Sequence, residues 1–115
     1  MRTSFHGSLE TSDPEIVEQV LRAWLSTDTL RMRPRRGWET YYEADGFELL
    51  CYEAESPSSP DYFLLEGHID GSVEAAVHRL HQLVEQCRQA NIGFAIDYEE
   101  VDDDGNPVSA EKTIS

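Results

Sequence analysis

Two stretches of the chain, 60 residues apart, open in the same way: an alternating apolar run, a helix-capping residue, then apolar residues at helical spacing. A strand with one apolar side and a helix with one apolar stripe must each bury that side against something. Two such pairs within 115 residues can bury those sides against each other. In the first stretch Phe5, Gly7 and Leu9 share one side of a short strand. Ile16, Val17, Val20, Leu21, Trp24 and Leu25 then form the stripe of an amphipathic helix expected over about residues 13–27. Two caps are open. Asp13 as N-cap places Pro14 at the first helical position, whereas Ser12 would form a capping box with Glu15. In the second stretch Phe63, Leu65, Gly67 and Ile69 share one strand face, opposite Tyr62, Leu64, Glu66 and His68. Ser72 caps a helix running to about Ala90, with Val73, Ala76, Val77, Leu80, Leu83, Val84 and Cys87 inward. Asn91 suits its end, because Asn tolerates the left-handed conformation.

The remaining runs read as strands. Residues 28–37 are irregular and basic. Trp38–Glu43 and Phe47–Glu55 flank Asp45-Gly46, a hairpin signal. A two-residue turn there would set Glu43 opposite Glu48, which favours a longer loop or a bulge. Ser56–Pro60 is a loop. Ile92, Phe94, Ile96 and Tyr98 alternate, Asp104–Pro107 turns the chain, and residues 106–115 form an edge strand or a loose tail.

Shifted by 60 residues, Gly7 meets Gly67, Leu9 meets Ile69, Ser12 meets Ser72, Val20 meets Leu80 and Trp24 meets Val84. Each half then reads strand, helix, strand, turn, strand. An internal duplication and a merely shared apolar period predict the same architecture. It is a single α+β domain over residues 1–115 built of two βαββ units. They form one mixed sheet of five or six strands with both helices packed on one face. The element order resembles the duplicated strand–helix–strand–strand module of small-ligand-binding and adaptor proteins. It carries no diagnostic motif, so the resemblance implies no site residue. Gly7 and Gly67 are both expected beneath a helix, where a β-carbon would crowd helix–sheet packing.

Charge narrows the function. Nine Lys and Arg against 23 Asp and Glu give a formal charge of −14. This argues against direct binding of nucleic acid or an anionic membrane. No apolar run approaches a spanning helix, and the first residues lack the apolar stretch of a signal peptide. With only Cys51 and Cys87, a reduced, cytoplasmic protein is expected. Six acids fall within the eight positions Asp97–Asp104. Asp97, Glu99, Glu100, Asp102, Asp103 and Asp104 are therefore the candidate surface for a basic protein partner, against the plainer reading of a solubilising hairpin end. Arg31, Arg33, Arg35 and Arg36 concentrate four of the nine cations. They are a candidate anion site, or they balance strand carboxylates such as Glu39, Glu48 and Glu53.

Chemistry is less visible. No nucleophile, phosphate-loop, dinucleotide or metalloprotease motif is present, and Cys87 lies in a helix stripe. His78 and His81, with Glu74 and Glu85, could ligate a metal but read better as a solvated helix face. Asp102–Asn106 lacks the calcium-loop frame. No catalytic residue, metal or cofactor is assigned. The expected function is non-catalytic binding of a basic protein, as an inhibitor, an immunity-type protein or a nucleic-acid mimic. The alternative is a small-molecule pocket walled by Trp38, Tyr41, Tyr42, Tyr52, Tyr62 and Phe63. An exposed aromatic sheet face would also suit a homodimer.

Overall fold

The computed structural model describes residues 1–35, 37–54 and 62–114. Among them are two helices and a seven-stranded sheet. In chain order the elements are β1 (Arg2–Glu10), α1 (Pro14–Leu25), β2 (Arg33–Pro34), β3 (Trp38–Ala44), β4 (Phe47–Glu53), β5 (Phe63–Asp70), α2 (Val73–Gln89), β6 (Gly93–Val101) and β7 (Lys112–Thr113). The loop expected at Ser56–Pro60 lies outside the described residues.

The helix ends follow local chemistry. Asp13, not Ser12, is the N-cap of α1, and its carboxylate accepts the Glu15 N–H at 2.9 Å. Pro14 fills the first helical position, where a missing N–H costs nothing. The Ser72 hydroxyl accepts the Ala75 N–H at 3.2 Å and starts α2. Asn91 leaves that helix at a φ of 59°, in the left-handed region.

The sheet differs from the expected mixed sheet of five or six strands. Its order is β2-β3-β4-β5-β1-β6-β7, and every neighbouring pair is antiparallel. The reason is where β1 lies. It enters between β5 and β6, which run parallel to each other and are joined through α2, so neither touches the other. The two additional strands, β2 and β7, are two-residue edges. They form in the stretch read as irregular and in the segment left open as strand or tail. After α1 the chain runs to the edge strand β2 and then β3 before β4 returns beside β5. After α2 it goes straight to β6 beside β1.

The Asp45-Gly46 turn is also tighter than expected. Ala44 pairs with Phe47 and Glu43 with Glu48, so the loop has two residues. Gly46 takes a φ of 72°, and the Tyr41 hydroxyl donates to Glu43 at 2.8 Å. Solvent exposure and that hydrogen bond offset the like-charge pair.

Alternate strand residues, among them Phe5, Leu9, Leu49, Leu65 and Ile96, are buried. They form one cluster with Val17, Leu21 and Trp24 of α1 and Leu80, Leu83 and Val84 of α2. Trp24 joins the elements. Its ring meets Phe5 edge-on at 6.2 Å and Phe47 at 5.5 Å. Its indole N–H donates to the Arg79 carbonyl of α2 at 2.7 Å. The Arg79 guanidinium lies 4.4 Å over the Phe47 ring.

At Gly7 and Gly67 the atoms nearest an added β-carbon belong to neighbouring strands, not to the expected helix. A β-carbon on Gly7 would strike the Ala95 carbonyl oxygen of β6, and one on Gly67 the Glu48 carbonyl oxygen of β4. The Phe5 ring would lie 2.8 Å from the latter. Backbone cannot swing aside as a side chain can. Gly67→Val should therefore cost about 3 kcal/mol, the upper end of overpacking, read as a shift in the urea midpoint. A loss below about 0.5 kcal/mol, the range of ordinary surface changes, would show that β4 and β5 separate freely there. Trp24→Ala should cost about 3–5 kcal/mol in the same assay.

Candidate functional site

The strand residues that alternate with the core carry the polar chemistry, and the register aligns them in rows. One row runs Glu43, Glu48, His68, Ser4, Glu99. The next runs Tyr41, Leu50, Glu66, His6, Asp97, Thr113. A third runs Arg33, Glu39, Tyr52, Leu64, Ser8, Ala95. None of these residues is buried. The three rows hold six carboxylates and a single arginine.

Two hollows lie on this face. A cleft of about 870 Å³ is bordered by His6, Ser8, Tyr52, Leu64, Glu66 and Asp97. A second, of about 900 Å³, shares Tyr52 and Glu66 with it and reaches Trp38 and Arg35. Together they make a trough of tyrosine, leucine and carboxylate across the middle of the sheet. Each falls in the size range of ligand sites. Beside the trough, hydrogen bonding to Glu43 and then to Glu48 pushes the Tyr41 phenol well above its usual range.

The six acids read from the sequence are only partly brought together. Asp97 and Glu99 sit in the rows. Glu100 pairs with Thr3 and so points to the other side of the sheet. One Asp102 carboxylate oxygen accepts the N–H groups of Asp104 and Asn106, each at 2.9 Å, so this residue builds the turn. Asp103 and Asp104 stand exposed at its tip. Sequence reasoning missed Glu39, Glu43, Glu48 and Glu66 as one surface. The signal was the alternation within each strand, and the missing datum was the register.

Two of the arginines, Arg31 and Arg35, are engaged internally. Arg31 donates to the carbonyls of Asp28 at 2.6 Å and Leu30 at 3.1 Å. Arg35 reaches Glu39 at 3.4 Å, and Arg33 stands opposite Glu39 across the β2–β3 pair. Arg31, Arg33 and Arg35 do border a hollow of about 1050 Å³, but Glu39 and Glu43 border it too. Arg36 lies outside the described residues.

The aromatic residues divide. Phe63 is buried, and Tyr42 packs on Phe47 at 6.1 Å. Tyr52 and Tyr62 border the first cleft, while Trp38 and Tyr41 are 37% and 55% exposed. His78 meets the Gln82 amide at 3.3 Å, while His81 is exposed. Among the described residues the group with metal-ligand spacing is a different one: His6, Asp97 and Glu111, with donor atoms within 4.8 Å of one another. No described helix is long and apolar enough to cross a membrane. No protein-family model matches the chain, and no curated protein matches its sequence.

Both cysteines are buried free thiols. Burial pushes Cys51 up to about 12 and Cys87 up to about 11, from an ordinary value of 9.0. A raised thiol keeps its proton in the folded state and loses it first in the unfolded state. The associated stability is therefore complete below about pH 8.5 and falls as pH rises toward the folded values. Native protein should leave both thiols unreacted with an aromatic disulfide reagent at pH 8, and unfolded protein should react at both. Cys51→Val should reduce the loss of urea stability between pH 7 and pH 10.

Proposed function

We propose that the protein is a non-catalytic binding module that engages a basic protein partner through the open face of its sheet. The observation behind this reading is the cross-strand array, six carboxylates against one arginine in three adjacent rows. In this reading both helices, whether or not the two halves share an origin, back the buried face and leave the array to the partner. Lysine and arginine side chains would descend into the trough, where Glu66 supplies charge and Tyr52 a ring face. The field of a chain at −14 would speed encounter and repel nucleic acid. The chain would serve as an inhibitor, an immunity-type protein or a nucleic-acid mimic, acting in the cytoplasm. The same array opposes a face-to-face homodimer, since pairing two copies would set carboxylate against carboxylate.

The reading is tested with a panel of small basic proteins passed over the immobilised chain. Combined Glu43→Gln, Glu48→Gln, Glu66→Gln and Glu99→Gln should weaken capture about tenfold, at a few tenths of a kcal/mol per exposed pair. A control with the same change in charge uses Glu15→Gln, Glu74→Gln, Glu85→Gln and Asp103→Asn, all exposed and away from the rows. It should lose less than about threefold, the share expected from net charge alone. Equal losses in the two variants would remove the open face as the site.

A second reading has its own observation. The 870 Å³ cleft, with Tyr52, Tyr62 and Leu64 on its walls, has the volume and apolar lining of a small-molecule site.

A further inference from the structure

We propose that His6, Asp97 and Glu111 bind one first-row divalent metal ion of the Mn²⁺-to-Zn²⁺ series, and that the ion fastens β7 to the sheet. The site is separate from the basic-partner reading and does not depend on it. His6 on β1 stands directly opposite Asp97 on β6, and Asp97 directly opposite Thr113 on β7. Glu111 immediately precedes β7. Three segments distant in sequence thus deliver one imidazole and two carboxylates to the same point.

The His6 Nε2 atom lies 3.8 Å from Asp97 Oδ2 and 3.8 Å from Glu111 Oε2. At that length neither contact is a hydrogen bond. The donors face one another without satisfying one another. A tetrahedral zinc ion, with bonds of about 2.1 Å, holds its donors about 3.4 Å apart. The two 3.8 Å separations from His6 need only a small contraction, and the carboxylate donors lie within 4.8 Å of each other. His6 and Glu111 are exposed and can turn to supply it.

Asp97 is already oriented. The Thr113 hydroxyl donates to its Oδ1 at 2.6 Å, leaving Oδ2 toward His6. A hydrogen bond from an outer group to a ligating carboxylate is how proteins fix metal ligands. Here Thr113 would be a positioning residue. The donor set suits the later first-row ions, because imidazole favours them, whereas Mg²⁺ and Ca²⁺ prefer oxygen alone. His6 and Asp97 also border the 870 Å³ cleft, so a further coordination position would open toward it.

What the ion would change is the hold on β7. That strand has two residues, and the Ile114 N–H donates to the Ile96 carbonyl at 2.9 Å. A ligand on each of β1, β6 and the approach to β7 would close a cross-link over the three segments.

The test is Zn²⁺ titration of the full chain by calorimetry in excess Mg²⁺, which occupies loose acidic sites, with amide exchange followed by NMR. One ion should bind per chain, and exchange at Ile114, whose N–H donates to Ile96, should slow. His6→Gln and Glu111→Gln should abolish both effects while leaving the far-UV spectrum intact. Thr113→Val should weaken binding about tenfold or more. Combined His78→Gln and His81→Gln should change neither. Zn²⁺ binding that survives His6→Gln, that disappears with His78 and His81, or that is absent at micromolar concentrations would overturn the site.

Discussion

The indole of Trp24 is the contact on which the arrangement of helices and sheet depends. One side chain on α1 meets Phe5 of β1 and Phe47 of β4, and its N–H reaches the backbone of α2. A purely apolar residue could fill the volume but could not fix the relative position of the helices, because apolar packing is non-directional. The hydrogen bond supplies direction. Arg79 then continues the chain of contacts by laying its guanidinium on Phe47, so a long basic side chain of α2 also covers an aromatic of β4.

The core on one side frees the other side for chemistry. Strand alternation makes the division unavoidable: once Phe5, Leu9 and Leu65 are buried, His6, Ser8 and Glu66 must emerge on the opposite surface. An array such as Glu43, Glu48 and Glu66 is tolerable there because water solvates it. Covering it with apolar surface would strand the charges. The edges of the sheet are handled differently. Two-residue strands cap both, one carrying Pro34 and the other Lys112, which limits the backbone left open to further strand pairing.

Much of this was legible in the residues themselves. The cap Ser72, the stripes of α1 and α2, the left-handed Asn91 and the side of β1 and β5 that is buried all follow from local pattern, while the pattern allows Asp13 and Ser12 alike at the start of α1. What could not be read is pairing. Nothing around Phe5 says that its strand separates β5 from β6, so a mixed sheet was a reasonable expectation and an antiparallel one was found. The Asp45-Gly46 turn came out tight because Tyr41, two positions from Glu43, relieves a repulsion that charge counting alone overstated. Asp97–Asp104 looked continuous in sequence, yet a strand turns neighbours to opposite faces and Asp102 was consumed by a turn. His6, Asp97 and Glu111 were invisible as a group because their meeting requires two successive registers, β1 on β6 and β6 on β7.

The central place of β1 has a consequence for synthesis. The ribosome makes this strand before either of its neighbours, and both arrive only after residues 63–101 have been translated. The β3–β4 hairpin can close locally as soon as it emerges. The strand carrying Phe5 and Leu9 must meanwhile wait, its apolar side without its final partners, until β5 and β6 have been made. Pairings this distant in sequence slow folding and lengthen the exposure of unpaired strand to other nascent chains. The hydrophilic residues that alternate along β1, Ser4, His6 and Ser8, are therefore more than the outer surface of a finished sheet. They also reduce the adhesiveness of a segment that spends its early life unaccompanied.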